Sequence, residues 1–116
     1  MATYLLNTLI IPVDFQRHPK VKATIRRASI EEVRQLLSRG FVSAVGHQAT
    51  ADLLTSLLQV PVQFNRIAVK AAPGDVLVHF VLRERIPEGK VLTLEELQSL
   101  PFDFAISEIE EVSENG

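Results

Sequence analysis

Gly46 and His47 stand where a run of small apolar residues gives way to a polar segment with a helical start, in the stretch Ser43 to Thr50 (SAVGHQAT). A helix N-terminus carries unpaired amides and a partial positive charge, so the amides of Gln48, Ala49 and Thr50 are able to hold a phosphate oxygen. Gly46 has no side chain to block that approach. Histidine exchanges protons near neutral pH and can protonate a leaving oxygen. A second group, Arg83, Arg85 and Lys90, surrounds a loop containing Pro87 and Gly89, with Glu84 and Glu88 interleaved. Arginines in such a lid can close on an anion through forked hydrogen bonds. Each group also has a plainer reading. A histidine beside a helix start is commonly a local hydrogen-bonding residue, and a charged hairpin tip is commonly just solvated.

Other chemistries find little support. The three histidines, His18, His47 and His79, lie far apart without the paired spacings of zinc sites, so neither a metal nor a cofactor is expected. His79, between Val78 and Phe80, reads as packing or surface. No phosphate-binding loop, nucleophile elbow or dinucleotide fingerprint is present. With no cysteine, disulfides, thiolate metal sites and cysteine nucleophiles are excluded. The net charge of -2 argues against duplex DNA as a partner, which usually selects a strongly basic surface. No apolar run approaches the roughly 20 residues that span a bilayer, and the N-terminal segment MATYLLNTLIIPV lacks a basic leader. No membrane partner is expected, and the expected location is the cytoplasm, that of the host cell if the chain is virus-encoded.

These groups need a scaffold. A chain of 116 residues, 47% of them hydrophobic, suits one domain with its own core. Thr3 to Val13 reads as a buried strand and Lys20 to Arg27 as a half-exposed one. Ser29 with Glu32 forms a capping box over IEEVRQLL, and Gly40 fits the helix stop. FVSAV reads as a short strand, and Leu53, Leu54, Leu57 and Leu58 recur at helical spacing behind His47. RIAVK and DVLVHFVLRERI read as a hairpin through Pro73, Gly74 and Asp75. Thr93 and Glu96 predict a third helix, LEELQSL, and FDFAISEIEEV a last strand. The expectation is a single α/β (α+β) domain over 1–116, a mixed sheet of about six strands packed by about three helices, with 113–116 frayed.

The segments YLLNTLI, SAVGHQATADLL, NRIAVK and RIPEGKVLTLEEL, in this order and spacing, resemble the small ring nucleases of archaeal viruses, phages and bacteria, first catalogued as a domain of unknown function. The resemblance runs from about Tyr4 to Leu100. Members of that family are anti-CRISPR enzymes that degrade cyclic tetra-adenylate, the second messenger of type III CRISPR defence. The resemblance implies a homodimer enclosing the ring, and cleavage without metal to linear di-adenylate with 2′,3′-cyclic phosphate ends. It places the catalytic histidine on His47, the arginine on Arg85 and the glutamate on Glu88. Ligand contacts fall on Asn7 and Thr8, on Arg66, and on the helix start at Gly46, Gln48, Ala49 and Thr50.

This chain departs from viral members at Ile10 and Ala49, where they carry serine, and at Gln48, where they carry an acid. The chemistry suits the parts, because RNA brings its own nucleophile, the ribose 2′-hydroxyl. His47 would act as general acid and Arg85 would neutralise the pentacoordinate phosphate. The competing expectation is a non-catalytic module that senses or sequesters a cyclic oligonucleotide, or one that binds another protein.

Overall fold

The computed structural model of the chain describes residues 2–83, 95–96 and 101–112. In chain order the elements are β1 (Thr3–Leu6), β2 (Val21–Ala28), α1 (Ile30–Leu37), β3 (Val42–Ala44), α2 (Gln48–Leu58), β4 (Val76–Leu82) and β5 (Phe102–Glu111). The strands form one mixed five-stranded sheet in the order β2-β5-β4-β1-β3. β1 runs parallel to both β3 and β4, while β5 is antiparallel to β4 and β2. This is an α+β domain.

Alternation along the strands sends apolar side chains to both sheet faces. On one face Leu5, Val78, Phe80, Phe104 and Ile106 pack under the helices with Val33 and Leu37 of α1 and Ala51, Leu53, Leu54 and Leu58 of α2. Phe80, Phe102 and Phe104 stand with ring centroids 5.5 to 5.7 Å apart, tilted or edge-on, which suits the quadrupoles of the rings. On the other face Leu6, Ala44, Leu77 and Ile109 are covered by loop residues, including Ile11, Val13, Val69 and Ala71.

The helices begin and end for local reasons. The Ser29 hydroxyl accepts from the Glu32 amide at 3.1 Å, which starts α1 as expected. Glu32 does not reach back to complete the box: its carboxylate meets Arg26 on β2 at 2.6 Å, because the neighbouring strand offers a cation. Gly40 takes φ +111 beyond α1, a conformation that glycine adopts without a Cβ penalty. α2 ends differently, on a left-handed Gln59 with φ 55. There Arg34 of α1 donates to the carbonyls of Leu58 (3.1 Å) and Leu57 (3.4 Å), serving acceptors that the helix itself leaves open.

Two expectations about strands are corrected. β1 ends at Leu6 instead of continuing to Val13, since its neighbour β3 ends at Ala44, paired to Leu6, and the Thr8 carbonyl is taken by a side chain. RIAVK is not a strand, so among the described residues the sheet has five strands where about six were expected. The turn at Pro73–Gly74–Asp75 exists, with Gly74 at φ +95, but the hairpin does not. β4 has only two edges, occupied by β1 and β5, and none remains for residues 66–70. Of the third expected helix only Glu95 and Glu96 are described, both helical; its Thr93 cap and the tail 113–116 lie outside the described residues.

Candidate functional site

Parallel pairing sends the ends of β1 and β3 out at one edge of the sheet. Leu6 is in register with both Ala44 of β3 and His79 of β4, so Asn7 and Thr8 leave the sheet beside the segment Val45–Gly46–His47. In open sheets with parallel strands, ligands are received outside the carboxyl ends of those strands. His47 lies there as the N-cap of α2, with extended φ -141 and ψ 120 and no side-chain capping bond. Its side chain is exposed. The first helical bond runs from the Ala51 amide to the His47 carbonyl at 3.0 Å, so the amides of Gln48, Ala49 and Thr50 precede it and have no intrahelical acceptor. No acidic residue stands in the first turn of α2.

Arg66 joins this corner through a docked loop. Ser43 Oγ donates to the Gln63 carbonyl at 2.6 Å, the Asn65 side-chain amide donates to the Ser43 carbonyl at 2.7 Å, and the Asn65 backbone amide donates to the Val45 carbonyl at 2.8 Å. These three bonds hold residues 63–65 along β3 and bring Arg66 over Gly46. A Cβ on Gly46 would sit 3.1 Å from Arg66 Cγ and 3.6 Å from its Nε. Glycine at this position therefore makes room for the arginine, a role different from the open phosphate approach expected of it. Arg26, Arg27, Arg34 and Arg83 all pair with carboxylates, whereas Arg66 has no acidic partner among the described residues. Gly46 does not adopt a positive φ, so alanine fits its backbone. Gly46→Ala should leave thermal stability within about 0.5 kcal/mol of the parent, because the arginine stem can swing, yet weaken anion binding. Calorimetric titration beside a melting curve checks both halves.

The remaining expected contacts fall into two kinds. Asn7 has no side-chain hydrogen bond among the described residues, and Thr8 is exposed. Ala49 packs toward the core and Thr50 is buried, so these two can offer only their amides. Gln48 turns along the helix and donates to Asp52 Oδ1 at 2.9 Å. Ile10, where the resemblance led to the expectation of a serine in viral members, is 59% exposed. Arg85 and Glu88 lie outside the described residues, as does Lys90. Arg83, the first cation of the expected lid, makes a forked pair with Asp103 at 2.7 and 2.8 Å, joined by Arg27 at 3.0 Å. That pair holds the Asp103 carboxyl below its ordinary pKa and raises that of Arg83. Arg83 therefore serves the β4–β5 end rather than a lid.

Sequence reasoning left His79 as packing or surface, and it has a more definite place. The ring is fully buried, with Nδ1 2.9 Å from the Thr8 carbonyl and Nε2 2.7 Å from Ser107 Oγ. A carbonyl only accepts, so Nδ1 carries the proton and the Ser107 hydroxyl donates to Nε2. Burial lowers the pKa of His79, outweighing the Thr8 carbonyl, which raises it. The available signal was a lone polar ring in an apolar strand, which must find partners if it is buried. The sign of the linkage follows. Above the ordinary histidine pKa of about 6.5 folded and unfolded forms are both neutral, and below it the unfolded chain takes up a proton that the buried ring refuses. Stability should therefore fall as pH drops below that value, and urea midpoints from pH 8 to 5 should lose part of this acid slope in His79→Asn.

Fold and site together define a small α+β domain in which the start of α2 and Arg66 share a corner at the carboxyl edge of its parallel strands. A profile of the STIV B116-like family matches residues 3–104, and the chain belongs to that family. It is 42% identical over 107 residues to the uncharacterized protein ORF117 of Acidianus two-tailed virus, covering 89% of each chain. It is 30% identical over 108 residues to the uncharacterized protein YddF of Bacillus subtilis (strain 168), covering 90% of this chain and 94% of the relative. Among solved structures it is similar to B116 of Sulfolobus turreted icosahedral virus, with a TM-score of 0.68 and 26% identity, over 93% of this chain and 99% of that one. Among the described residues no helix is long and apolar enough to cross a membrane.

Proposed function

We propose that the protein is a metal-independent ring nuclease that opens cyclic tetra-adenylate and so silences type III CRISPR signalling. The observation that carries this reading is His47, exposed at the start of α2 with a ring that caps nothing, beside an arginine, Arg66, that has no acidic partner among the described residues. The free amides of α2 and Arg66 are suited to hold a phosphate, and Asn7 and Thr8 to meet the neighbouring nucleotide. The ribose 2′-oxygen attacks phosphorus and the bond to the 5′-oxygen breaks. His47 gives that oxygen its proton, leaving a 2′,3′-cyclic phosphate. Arg85 neutralises the charge that builds on the phosphate, and the 2′-hydroxyl proton goes to Glu88 or, where Glu88 instead orients Arg85, to a water molecule. Kinship with proteins of archaeal viruses supports a role against host defence, and the Bacillus relative extends the family to a cell.

The ring has a two-fold axis, so a two-fold homodimer would present each group to it twice, giving two cuts and di-adenylate. Large apolar side chains left open near the corner support such a partner: Leu9 is 50% and Ile10 59% exposed, and a shallow cavity of about 260 Å³ lies between Leu9, Ile25 and Val81. The test incubates the purified protein with cyclic tetra-adenylate in excess EDTA and follows the ring by chromatography. Undiminished conversion to di-adenylate supports the proposal. A ring that is bound but intact would make the protein a sponge, and loss of activity restored by a divalent ion would replace the mechanism.

A further inference from the structure

We propose that His79 is a positioning residue: through its bond to the Thr8 carbonyl it fixes the corner at which Asn7 and Thr8 leave β1 for the ligand. This rests on reading Asn7 and Thr8 as ligand contacts. The bond spans 71 residues of sequence and ties the end of β1 to the middle of β4. Strand pairing does not hold this carbonyl: the ladders of β1 with β3 and with β4 both end at Leu6, so a side chain serves the Thr8 carbonyl instead. Ser107 holds the ring from the other side at 2.7 Å, so the ring cannot turn without breaking a second buried bond. An isolated carbonyl at the end of a strand leaves a corner free to move, whereas a buried, doubly anchored donor fixes its height above the sheet. The histidine touches no substrate and acts only by where it holds the chain.

Two polar substitutions separate the two bonds. An asparagine amide lies about where Nδ1 does and can still donate to Thr8, while a glutamine amide reaches the place of Nε2 and serves Ser107 instead. Amide hydrogen exchange at Thr8 and Leu9 should quicken about tenfold in His79→Gln and stay near the parent rate in His79→Asn. In the same variants the KM for cyclic tetra-adenylate should rise about tenfold in His79→Gln with kcat within about twofold, and recover in His79→Asn. A purely structural role would make both effects follow the loss of stability, whichever bond is kept. Equal exchange rates in the two variants, or a fall in kcat at constant KM, would overturn the proposal. Should neither variant fold, Ser107→Ala keeps the ring and its bond to Thr8. Because the lost hydroxyl frees the ring to turn, exchange at Thr8 and Leu9 should quicken by a few fold while the amides of α1 and α2 keep the parent rate, and unchanged exchange at Thr8 and Leu9 would overturn the proposal. A wild-type protein that neither binds nor cuts the ring removes the functional reading, and the exchange comparison then decides the positioning claim alone.

Discussion

His47→Ala should slow single-turnover cleavage of cyclic tetra-adenylate by about a thousandfold, within the range of general acids, while the dissociation constant changes by less than about threefold. The two expectations differ because a general acid acts when the leaving oxygen gains charge, and it contributes little while the ring merely sits in the site. Stability separates this role from a structural one. The His47 ring makes no capping bond, so its removal takes nothing from the start of α2 beyond the small preference of an N-cap position. A variant that is folded, binds the ring and fails to cut it is the expected result. Wild-type turnover by His47→Ala would end the acid assignment.

Arg85→Ala should cost about a hundred- to a thousandfold in kcat, with some loss of affinity, because an arginine that meets the phosphate neutralises charge both before and during the cut. Arg26→Ala is the matched control. Arg26 lies on the edge strand β2, exposed and paired with Glu32 at 2.6 Å, and exposed ion pairs contribute little to stability or function. Its rate should stay within about twofold of the parent. Kinetics of both variants at one ionic strength decide the matter, since a general electrostatic effect of removing any cation would slow them equally. Equal losses would remove the lid reading.

Much of the scaffold was legible because it is local. The alternation of Val21, Ala23 and Ile25 marks β2, the Ser29 hydroxyl caps α1 as its position predicts, and the leucines of α2 fall on one face. Elements whose fate depends on partners far along the chain were not legible. RIAVK has the composition of a strand, but β4, its expected hairpin partner, is already paired on both sides by β1 and β5, and β1 stops where β3 runs out. Glu32 has the spacing of a capping box, yet a neighbouring strand supplies Arg26.

The site divides in the same way. His47 at the helix start could be found by spacing alone, since the junction of β3 and α2 is contiguous in sequence. The approach of Arg66 to Gly46 depends on Ser43 and Asn65 holding a loop some twenty residues away along the chain, which no local pattern announces. The bond from His79 to Thr8 joins residues still more distant, and only burial of the ring reveals it.

Carrying out the reaction in water enriched in oxygen-18 and weighing the first products tests the central claim directly, because it asks which oxygen attacks. If the ribose 2′-hydroxyl is the nucleophile and His47 only protonates the leaving oxygen, no solvent oxygen enters the phosphate during the cut. The account predicts di-adenylate ending in a 2′,3′-cyclic phosphate and free of label. Labelled linear phosphate ends at the earliest time points, or a ring that emerges unopened, would contradict it.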